Sequence, residues 1–145
     1  MATAKDAVQQ VAVIAVRGRQ ICLVTSQNGK RWVVPKGCLE SGMSAGQVAL
    51  QEAWEEAGLV GVLDREPVGS YLYEKAGEIY HVIVFQMQAT HVSADWPEAS
   101  SRHRCWLPPE KARLRVQHAG LRHLITSILE VPVILGLGVS KDDDR

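Results

Sequence analysis

Short runs of apolar residues recur along most of the chain, and turn residues separate them. Runs that are rich in β-branched residues are typical of strands. They lie at 8–17, 21–25, 32–35, 59–66, 67–74, 78–91 and 104–108. The turn Arg17-Gly18-Arg19 predicts that the first two strands form a hairpin, and Ala76-Gly77 predicts a turn before the strand at 78–91.

One helix is predicted directly after a glycine-punctuated loop at 36–44. Ser44, with Gln47 three residues later, matches the capping box, in which the two side chains satisfy backbone N–H groups of the first turn. Gly58 is a typical residue just past a helix end, because glycine adopts left-handed backbone angles at little cost. The pattern therefore predicts a helix from Ser44 to about Ala57.

Two further helices are predicted after the last strand. A short one starts at 109–113, and apolar residues at three- and four-residue spacing predict a longer one at 117–130. This order of elements favours an α/β fold in which helices pack on the faces of a mixed sheet. No repeat or linker divides the chain, so we expect one domain over 1–130 and a loosely held tail over 131–145.

The composition limits the classes of partner. The 145 residues are 46% hydrophobic, enough for one full core, and 16 basic residues balance 16 acidic ones. No overall field therefore attracts nucleic acid polymers or anionic membranes. Three scattered cysteines indicate reduced thiols, the N-terminus lacks the apolar segment of a signal peptide, and the apolar run at 131–139 is far shorter than the ~20 residues that span a bilayer. We expect a cytoplasmic protein.

The first helix carries three acids at repulsive spacing. Glu52, Glu55 and Glu56 lie three and four residues apart, where like charges destabilise a helix. No lysine or arginine occurs from Gly37 to Asp64 to relieve them. Each residue of a helix is rotated by about 100° from the one before it. On this basis a separate arc of the helix is predicted to pack against the sheet. It contains Gly46, Ala49, Leu50, Ala53, Trp54 and Ala57.

A divalent cation would turn this repulsion into binding energy. Mg²⁺ prefers oxygen ligands and completes its shell with water and substrate phosphates. Lys36 and Gly37 precede the helix, in the kind of loop that holds an anion with backbone N–H groups and one lysine. Carboxylates beside such a loop suit a site that cleaves a diphosphate. The alternative is an ordinary solvated helix face.

The stretch from Gly37 to Leu59 resembles the Nudix box, the loop–helix–loop motif G-x5-E-x7-R-E-U-x-E-E-x-G-U, in which U is apolar. The register holds over all 23 positions. The specified positions of the motif fall on Gly37, Met43, Gln51, Glu52, Ala53, Glu55, Glu56, Gly58 and Leu59. The preceding WVVPKG resembles the W-x-x-P-K-G form of hydrolases that act on diphosphoinositol polyphosphates and dinucleoside polyphosphates. The resemblance covers about residues 8–130 and implies the family's α/β/α sandwich.

The resemblance also implies an activity and a metal. Nudix hydrolases use Mg²⁺ or Mn²⁺ to cleave a nucleoside diphosphate linked to another group, or a related pyrophosphate. In this chain it implies that Glu55 and Glu56 are metal ligands and that Glu52 is a ligand or the general base. The backbone of Gly37 would add to the metal shell. Family members often add an acid from outside the box, and Glu98 is our candidate, with an exposed loop acid as the alternative.

The expected partner is a phosphorylated small molecule of the dinucleoside polyphosphate or diphosphoinositol polyphosphate type. The resemblance implies that Lys36 and Arg31 contact the phosphates of this substrate, together with Gly37. Ordinary surface charge is the alternative, more serious for Arg31. The neutral total charge favours a nucleotide over a densely phosphorylated inositol. The chain is expected to act as a monomer or a homodimer.

Two positions depart from the motif. Met43 stands where the box has Glu, and Gln51 where it has Arg. Because the Glu and the Arg of the motif are both replaced by neutral residues, neither charge is left unpaired, so the loop–helix–loop scaffold can survive. Gln51 could still hydrogen-bond Glu52. We predict a hydrolase that is active but slower, or that needs more metal. The alternative is a Nudix-fold protein that binds a nucleotide as a sensor or scaffold.

Other aromatic and basic residues have weaker signals. Trp32, Trp54 and Trp106 lie in apolar contexts and are predicted to be core residues, whereas Trp96, in a polar loop, is the better candidate for contact with substrate. Arginines concentrate in the last third of the chain. They are expected to form a solvated surface, with binding of extra phosphates as the alternative: Arg102, Arg104, Arg113, Arg115 and Arg122.

Overall fold

The computed structural model of the chain describes residues 6–128, which form eight strands and three α-helices. The strands are β1 (Val8–Arg17), β2 (Gln20–Thr25), β3 (Trp32–Val33), β4 (Lys36–Cys38), β5 (Leu59–Leu63), β6 (Gly69–Lys75), β7 (Glu78–Val92) and β8 (Arg104–Leu107). The helices are α1 (Ala45–Ala57), α2 (Pro109–Arg115) and α3 (residues 119–128). The predicted tail at 131–145 lies outside the described residues, as does the end of the helix predicted at 117–130.

All eight strands belong to one mixed sheet with β1 and β7 at its centre. These two strands run parallel, from the pair Val8 and Tyr80 to the pair Val16 and Gln88. On its other edge β1 pairs antiparallel with β2 near one end and with β4 near the other. β7 pairs with β6 and then β5, while β2 pairs with β3 and β8. The predicted β1–β2 hairpin and the turn between β6 and β7 are both present.

Helices cover both faces of this sheet, so the central strands are buried on both sides. On β1, Val11, Val13 and Ala15 pack with α1, whereas Ala12 and Ile14 point to the opposite core. That opposite core is closed by α2 and α3, chiefly through Leu121, Leu124, Ile125 and Ile128. The predicted α/β/α sandwich with a mixed sheet is confirmed. Among the described helices none is long and apolar enough to cross a lipid bilayer.

The ends of α1 agree with the sequence pattern. Ser44 accepts a hydrogen bond from the backbone N–H of Gln47, and the Gln47 side chain accepts one from the backbone N–H of Ser44. At the other end Gly58 has a φ of 68° and donates its N–H to carbonyls of the last turn. The helix therefore begins and ends where local chemistry predicts.

Two expectations about this region are wrong. The predicted loop at 36–44 begins with strand β4, which pairs with β1 although Gly37 lies in its middle. The predicted packing arc of α1 is also rotated. Leu50 and Trp54 are 40% and 39% exposed, so Trp54 is not a core residue. The side of α1 that is buried consists of Val48, Ala49, Glu52, Ala53, Glu56 and Ala57.

Candidate active site

Two of the three box acids lie beneath the protein surface, between α1 and β4. Glu52 and Glu56 are only 9% and 8% exposed, whereas Glu55 is partly exposed at the rim. The sequence pattern predicted one surface shared by all three acids. Instead the helix turns Glu52 and Glu56 inward, toward the backbone of the short strand that precedes it.

Glycine at position 37 is what lets Glu52 fit. A Cβ added at Gly37 would overlap the carboxylate of Glu52, so this side chain rests directly on the backbone of β4. The neighbouring backbone N–H of Lys36 donates a hydrogen bond to Glu56 Oε1 at 3.2 Å. β4 thus holds both acids, and the structure brings together the predicted set of Glu52, Glu56 and Gly37.

Burial changes the protonation of this pair. The Glu52 and Glu56 side chains share a hydrogen bond. Burial, assisted by that hydrogen bond, raises the pKa of Glu56 to about 8. Burial also raises the pKa of Glu52, and the nearby charges of Glu55 and Glu98 act in the same direction. At neutral pH the two carboxyl groups therefore hold a proton between them.

Arg102 supplies the basic partner that the helix lacks. Its side chain is only 9% exposed, with Nη2 3.5 Å from Glu56 Oε2 and Nε 2.9 Å from Glu98 Oε1. Nη1 donates to the carbonyl of Thr25 at 2.8 Å, which anchors the guanidinium at the end of β2. The expectation of a solvated surface is wrong for Arg102, because folding brings it to α1 from 46 residues downstream of Glu56.

Glu98 lies in the loop between β7 and β8 that also carries Arg102. Its backbone N–H donates to the carbonyl of Glu55 at 3.0 Å, which ties the loop to the last turns of α1. Its carboxylate is 35% exposed and is engaged by Arg102. Glu98 therefore lies beside the box acids, as the candidate outer ligand should, and its charge acts on Glu52.

Glu56 opens into a cleft rich in basic side chains, which we call the cation cleft. It has a volume of about 400 Å³, and Arg31, Lys36, Lys75 and Arg102 all line it, with Glu56 as the acid among its described residues. Both predicted phosphate contacts, Lys36 and Arg31, are thus in one place. Lys75 has no local signal in the sequence; it reaches the cleft because β6 pairs with β7.

The Lys36 side chain is held in a defined position. Its Nζ donates to the hydroxyl of Tyr73 at 2.9 Å and lies 4.5 Å from the centre of that ring. The Tyr73 hydroxyl in turn donates to Gln10 Oε1 at 2.8 Å. Burial lowers the pKa of Lys36, while the charge of Glu56 opposes that shift. The sequence pattern did not identify Tyr73 or Gln10.

Trp96, the sequence-based candidate for contact with substrate, lies against the C-terminal end of α1. Its Nε1 donates to the carbonyl of Glu56 at 3.0 Å, and its ring packs on Gly58. Arg104 lies over the ring at 4.3 Å and donates to the carbonyl of Ala57. These contacts satisfy carbonyl groups at the C-terminus of α1 that the helix leaves free. Trp96 and Arg104 therefore fasten the helix end that carries the acids.

The two departures from the motif have simple structural positions. Met43 is partly buried against the core beneath α1, where an apolar side chain is favourable. Gln51 makes no side-chain hydrogen bond within residues 6–128; Glu52 is paired with Glu56 instead. The suggestion that Gln51 bonds Glu52 is therefore not supported, and the nearby positive charge comes from Arg102.

The donor set suits a divalent cation. Two buried carboxylates that keep a proton between them can exchange that proton for a metal ion, and carboxylate oxygens are the ligands that Mg²⁺ prefers. No three acidic, histidine or cysteine side chains within residues 6–128 are close enough together to hold a metal ion by themselves. Backbone, water and substrate oxygens would have to complete the shell, as is usual for Mg²⁺.

Comparison with known proteins supports one family. The model of the NUDIX domain matches residues 7–127. Nudix hydrolase 4 of Arabidopsis thaliana is 32% identical over 139 residues, which cover 94% of this chain and 64% of that protein. Diphosphoinositol polyphosphate phosphohydrolase 3-beta of Bos taurus is 31% identical over 99 residues, or 66% of this chain and 59% of that protein. This chain thus spans about three fifths of the length of these two relatives.

Solved structures resemble the fold. A NUDIX hydrolase from Nitrosomonas europaea superposes with a TM-score of 0.72 at 19% identity, covering 87% of this chain and 90% of its own. The Ap4A hydrolase of C. elegans, in a binary complex, superposes with a TM-score of 0.70 at 18% identity, covering 87% and 98%. At this level of identity the likeness is evidence for the fold.

Proposed function

Because this chain belongs to the Nudix hydrolase family, we propose that it hydrolyses a pyrophosphate bond in a polyphosphorylated small molecule, with Mg²⁺ or Mn²⁺ as its cofactor. The observation that carries the proposal is the buried pair Glu52 and Glu56, of which Glu56 lines the cation cleft. A cleft lined by Glu56 of this pair and by four basic residues fits a metal-bound polyphosphate chain.

The residues have separate tasks in this proposal. Arg31, Lys36 and Lys75 hold the phosphates, since each lines the cleft. Glu52, Glu55 and Glu56 are metal ligands, together with the backbone of Gly37 and with Glu98 at the rim. A bound divalent ion would neutralise phosphate charge and make water a better nucleophile.

Glu52 is also our candidate for the general base. It packs on Gly37 and has no basic partner within the described residues, so its ionised carboxylate would be free to accept a proton from an attacking water. Arg102 is a positioning residue, because its guanidinium holds the Glu56 and Glu98 carboxylates in place.

The names of similar proteins suggest the substrate classes to test. One relative is called a diphosphoinositol polyphosphate phosphohydrolase and one structure an Ap4A hydrolase. We propose a substrate of the dinucleoside polyphosphate or diphosphoinositol polyphosphate type. The following remain predictions: a single domain over 1–130, a cytoplasmic location, the absence of nucleic acid and membrane partners, and a monomeric or homodimeric state.

Turnover with a panel of substrates tests the proposal. Wild type, Glu52→Gln and the exposed control Glu110→Gln are incubated with Mg²⁺ or Mn²⁺ and dinucleoside polyphosphates, nucleotide sugars, nucleoside triphosphates or inositol pyrophosphates, and products are read by chromatography. We expect Glu52→Gln to lose about a hundredfold or more in turnover, as loss of a general base does, and Glu110→Gln to match wild type. No product from wild type across the panel would contradict the proposal.

One observation favours a second candidate, a nucleotide-binding protein without turnover. Arg102 pairs with both Glu56 and Glu98, so Arg31, Lys36 and Lys75 are left to hold phosphates in the cleft by themselves. Thermal unfolding with nucleotide, measured with Mg²⁺ and with EDTA, separates the two. Stabilisation by nucleotide in EDTA with no product in Mg²⁺ supports the binding protein.

A further inference from the structure

The hydroxyl of Tyr73 lies in the middle of a hydrogen-bond network that begins at Lys36. Lys36 Nζ donates to this hydroxyl at 2.9 Å, and the hydroxyl donates to Gln10 Oε1 at 2.8 Å. Gln10 Nε2 in turn lies 3.9 Å from Cys38 Sγ. We call these four residues the Tyr73 network. It leaves β4 at Lys36, passes through β6 and β1, and returns to β4 at Cys38.

The directions of the hydrogen bonds in the Tyr73 network follow from the groups themselves. An ammonium group has donors but no acceptor, so the Tyr73 oxygen has to accept from Lys36. The hydroxyl proton of Tyr73 is then left for Gln10, whose carbonyl end has to face it. Because one arrangement satisfies all of these groups, the network holds the Lys36 ammonium at one point of the cation cleft.

The ring of Tyr73 is held on both faces. Tyr80 stacks on it at 4.7 Å and His118 at 4.3 Å, measured between ring centres. Tyr80 is the cross-strand neighbour of Tyr73 on β7, and His118 comes just before α3. Aromatic pairs at this spacing attract each other beyond the area that they bury. Two separate parts of the fold therefore keep the Tyr73 hydroxyl in place.

A carboxylate lies close enough to compete for Lys36. The backbone N–H of Lys36 bonds Glu56 Oε1 at 3.2 Å, so this carboxylate is within reach of the flexible four-carbon stem of the same lysine. Within residues 6–128, however, Glu56 forms its ion pair with Arg102 and not with Lys36. The bond to Tyr73 directs the ammonium elsewhere.

This separation matters for both sides of the site. An ion pair between Lys36 and Glu56 would remove a cation from the phosphates and would occupy an expected metal ligand at the same time. With one N–H bonded to Tyr73, the ammonium keeps its other two donors for phosphate oxygens. Glu56 meanwhile stays available to a divalent ion.

We propose that Tyr73 is a positioning residue, which holds the Lys36 ammonium toward the phosphates in the cation cleft and away from Glu56. This inference rests on the proposed function and adds a residue from outside the Nudix box. Tyr73 reaches the site because β6 pairs with β7. It acts through Lys36, so its contribution should vanish when Lys36 is replaced.

Binding of inorganic pyrophosphate in EDTA, measured by calorimetry, tests the inference without turnover. Tyr73→Phe keeps the ring and removes the hydroxyl. We expect it to weaken pyrophosphate binding about fivefold, because a lysine that is no longer held in place loses side-chain freedom on binding. In the Lys36→Met background the same change should have no effect.

Two further variants complete the pyrophosphate series. The matched control is Tyr71→Phe, because the Tyr71 hydroxyl makes no hydrogen bond within residues 6–128, and this variant should bind pyrophosphate like wild type. Gln10→Met removes the acceptor of the Tyr73 proton and should weaken binding by a smaller factor than Tyr73→Phe. It covers the case that Tyr73→Phe does not fold.

Binding of Mn²⁺ to the substrate-free protein, followed by electron paramagnetic resonance, tests the separation of Lys36 from Glu56. We expect Tyr73→Phe to weaken Mn²⁺ binding severalfold, because the released Lys36 can pair with Glu56, and we expect Lys36→Met to remove this loss. Unchanged affinity of Tyr73→Phe for either probe, or a loss that persists in the Lys36→Met background, would overturn the inference.

These outcomes are separable from those of the proposed function. If wild type hydrolyses no substrate but pyrophosphate binding shows the loss that depends on Lys36, the proposed hydrolysis fails and the role of Tyr73 stands. If wild type binds no Mn²⁺, the proposed metal site fails and the pyrophosphate series alone decides the role of Tyr73. If wild type hydrolyses a substrate and Tyr73→Phe binds both probes like wild type, the positioning role fails alone.

Discussion

The two halves of α1 differ in what holds their polar side chains. In the first half, Ser44 and Gln47 bond each other's backbone at 2.8 and 3.1 Å, so every partner lies within four residues. In the second half, Glu52 and Glu56 are held by the backbone of β4, by each other and by Arg102. Those partners come from three separate parts of the chain.

Because of this difference, the first half of α1 should matter mainly for stability and the second half mainly for activity. A cap is a local device whose loss weakens the helix without touching the acids. The acid pair destabilises the folded state unless groups from other parts of the fold offset it, because burial of like charges is costly without a cation or a shared proton. Substitutions in the two halves should therefore have different signatures, which the following predictions use.

The largest effect on stability is expected at Arg102. Arg102→Met removes the cation that faces two carboxylates, and loss of one partner of a buried pair costs about 3 kcal/mol. We expect this loss in urea unfolding at pH 8 in EDTA. It should be smaller at pH 5, where Glu56 is protonated in the folded state. Arg115→Met, at an exposed position on α2, should change stability by less than about 0.5 kcal/mol. A loss that is the same at both pH values would argue against the charge explanation.

A smaller effect is expected from pH acting on Glu56. Its folded-state pKa of about 8 lies above the ordinary value of 4.5, so the folded metal-free protein binds more protons than the unfolded chain. The stability from this group is full below pH 4.5 and is lost as pH rises through about 8. Glu56→Gln, which stays neutral, should therefore gain stability relative to wild type as pH rises.

The measurement is the difference in Tm between Glu56→Gln and wild type in EDTA. It should be near zero at pH 5 and favour the variant by about 4 °C at pH 8.5, which corresponds to roughly 1 kcal/mol for a chain of this length. Excess Mg²⁺ should remove the difference by stabilising wild type. A Tm difference that is independent of pH would show that the acid pair does not share a proton.

A still smaller effect is expected from restoring the motif. Met43→Glu with Gln51→Arg should change turnover and the half-saturating Mg²⁺ concentration by less than about threefold, because Arg102 already supplies the positive charge. The same pair of changes should have a larger effect in the Arg102→Met background, where it partly rescues metal affinity. A large gain in the wild-type background would instead support the hypothesis that the altered box limits activity.

The smallest effect on turnover is expected at the helix cap. Ser44→Ala should cost about 1 kcal/mol of stability, as loss of an N-cap hydroxyl usually does, and turnover should not change. The control is Ser41→Ala, whose side chain makes no hydrogen bond within residues 6–128. If Ser44→Ala lowered turnover as strongly as Glu52→Gln, the two halves of α1 would not be independent.

Several elements could be predicted from the sequence because their causes are local. The capping box, the stop at Gly58 and the β1–β2 hairpin all depend on residues a few positions apart. These features hold in the structure since short-range geometry determines them. The spacing of the Nudix box placed Glu52, Glu55 and Glu56 on one helix, but it did not predict that Glu52 and Glu56 are buried while Glu55 stays at the rim.

The tertiary structure decided how the acids are used. Strand β4 forms only because β1 provides an edge for it, and that pairing brings Gly37 against Glu52. Arg102 and Lys75 reach the site by strand pairings and loops that span many residues. Trp96 fastens the helix end because its loop folds back on Gly58. Charge balance and burial are sums over groups that are distant in sequence and close in space, so no local pattern could predict them.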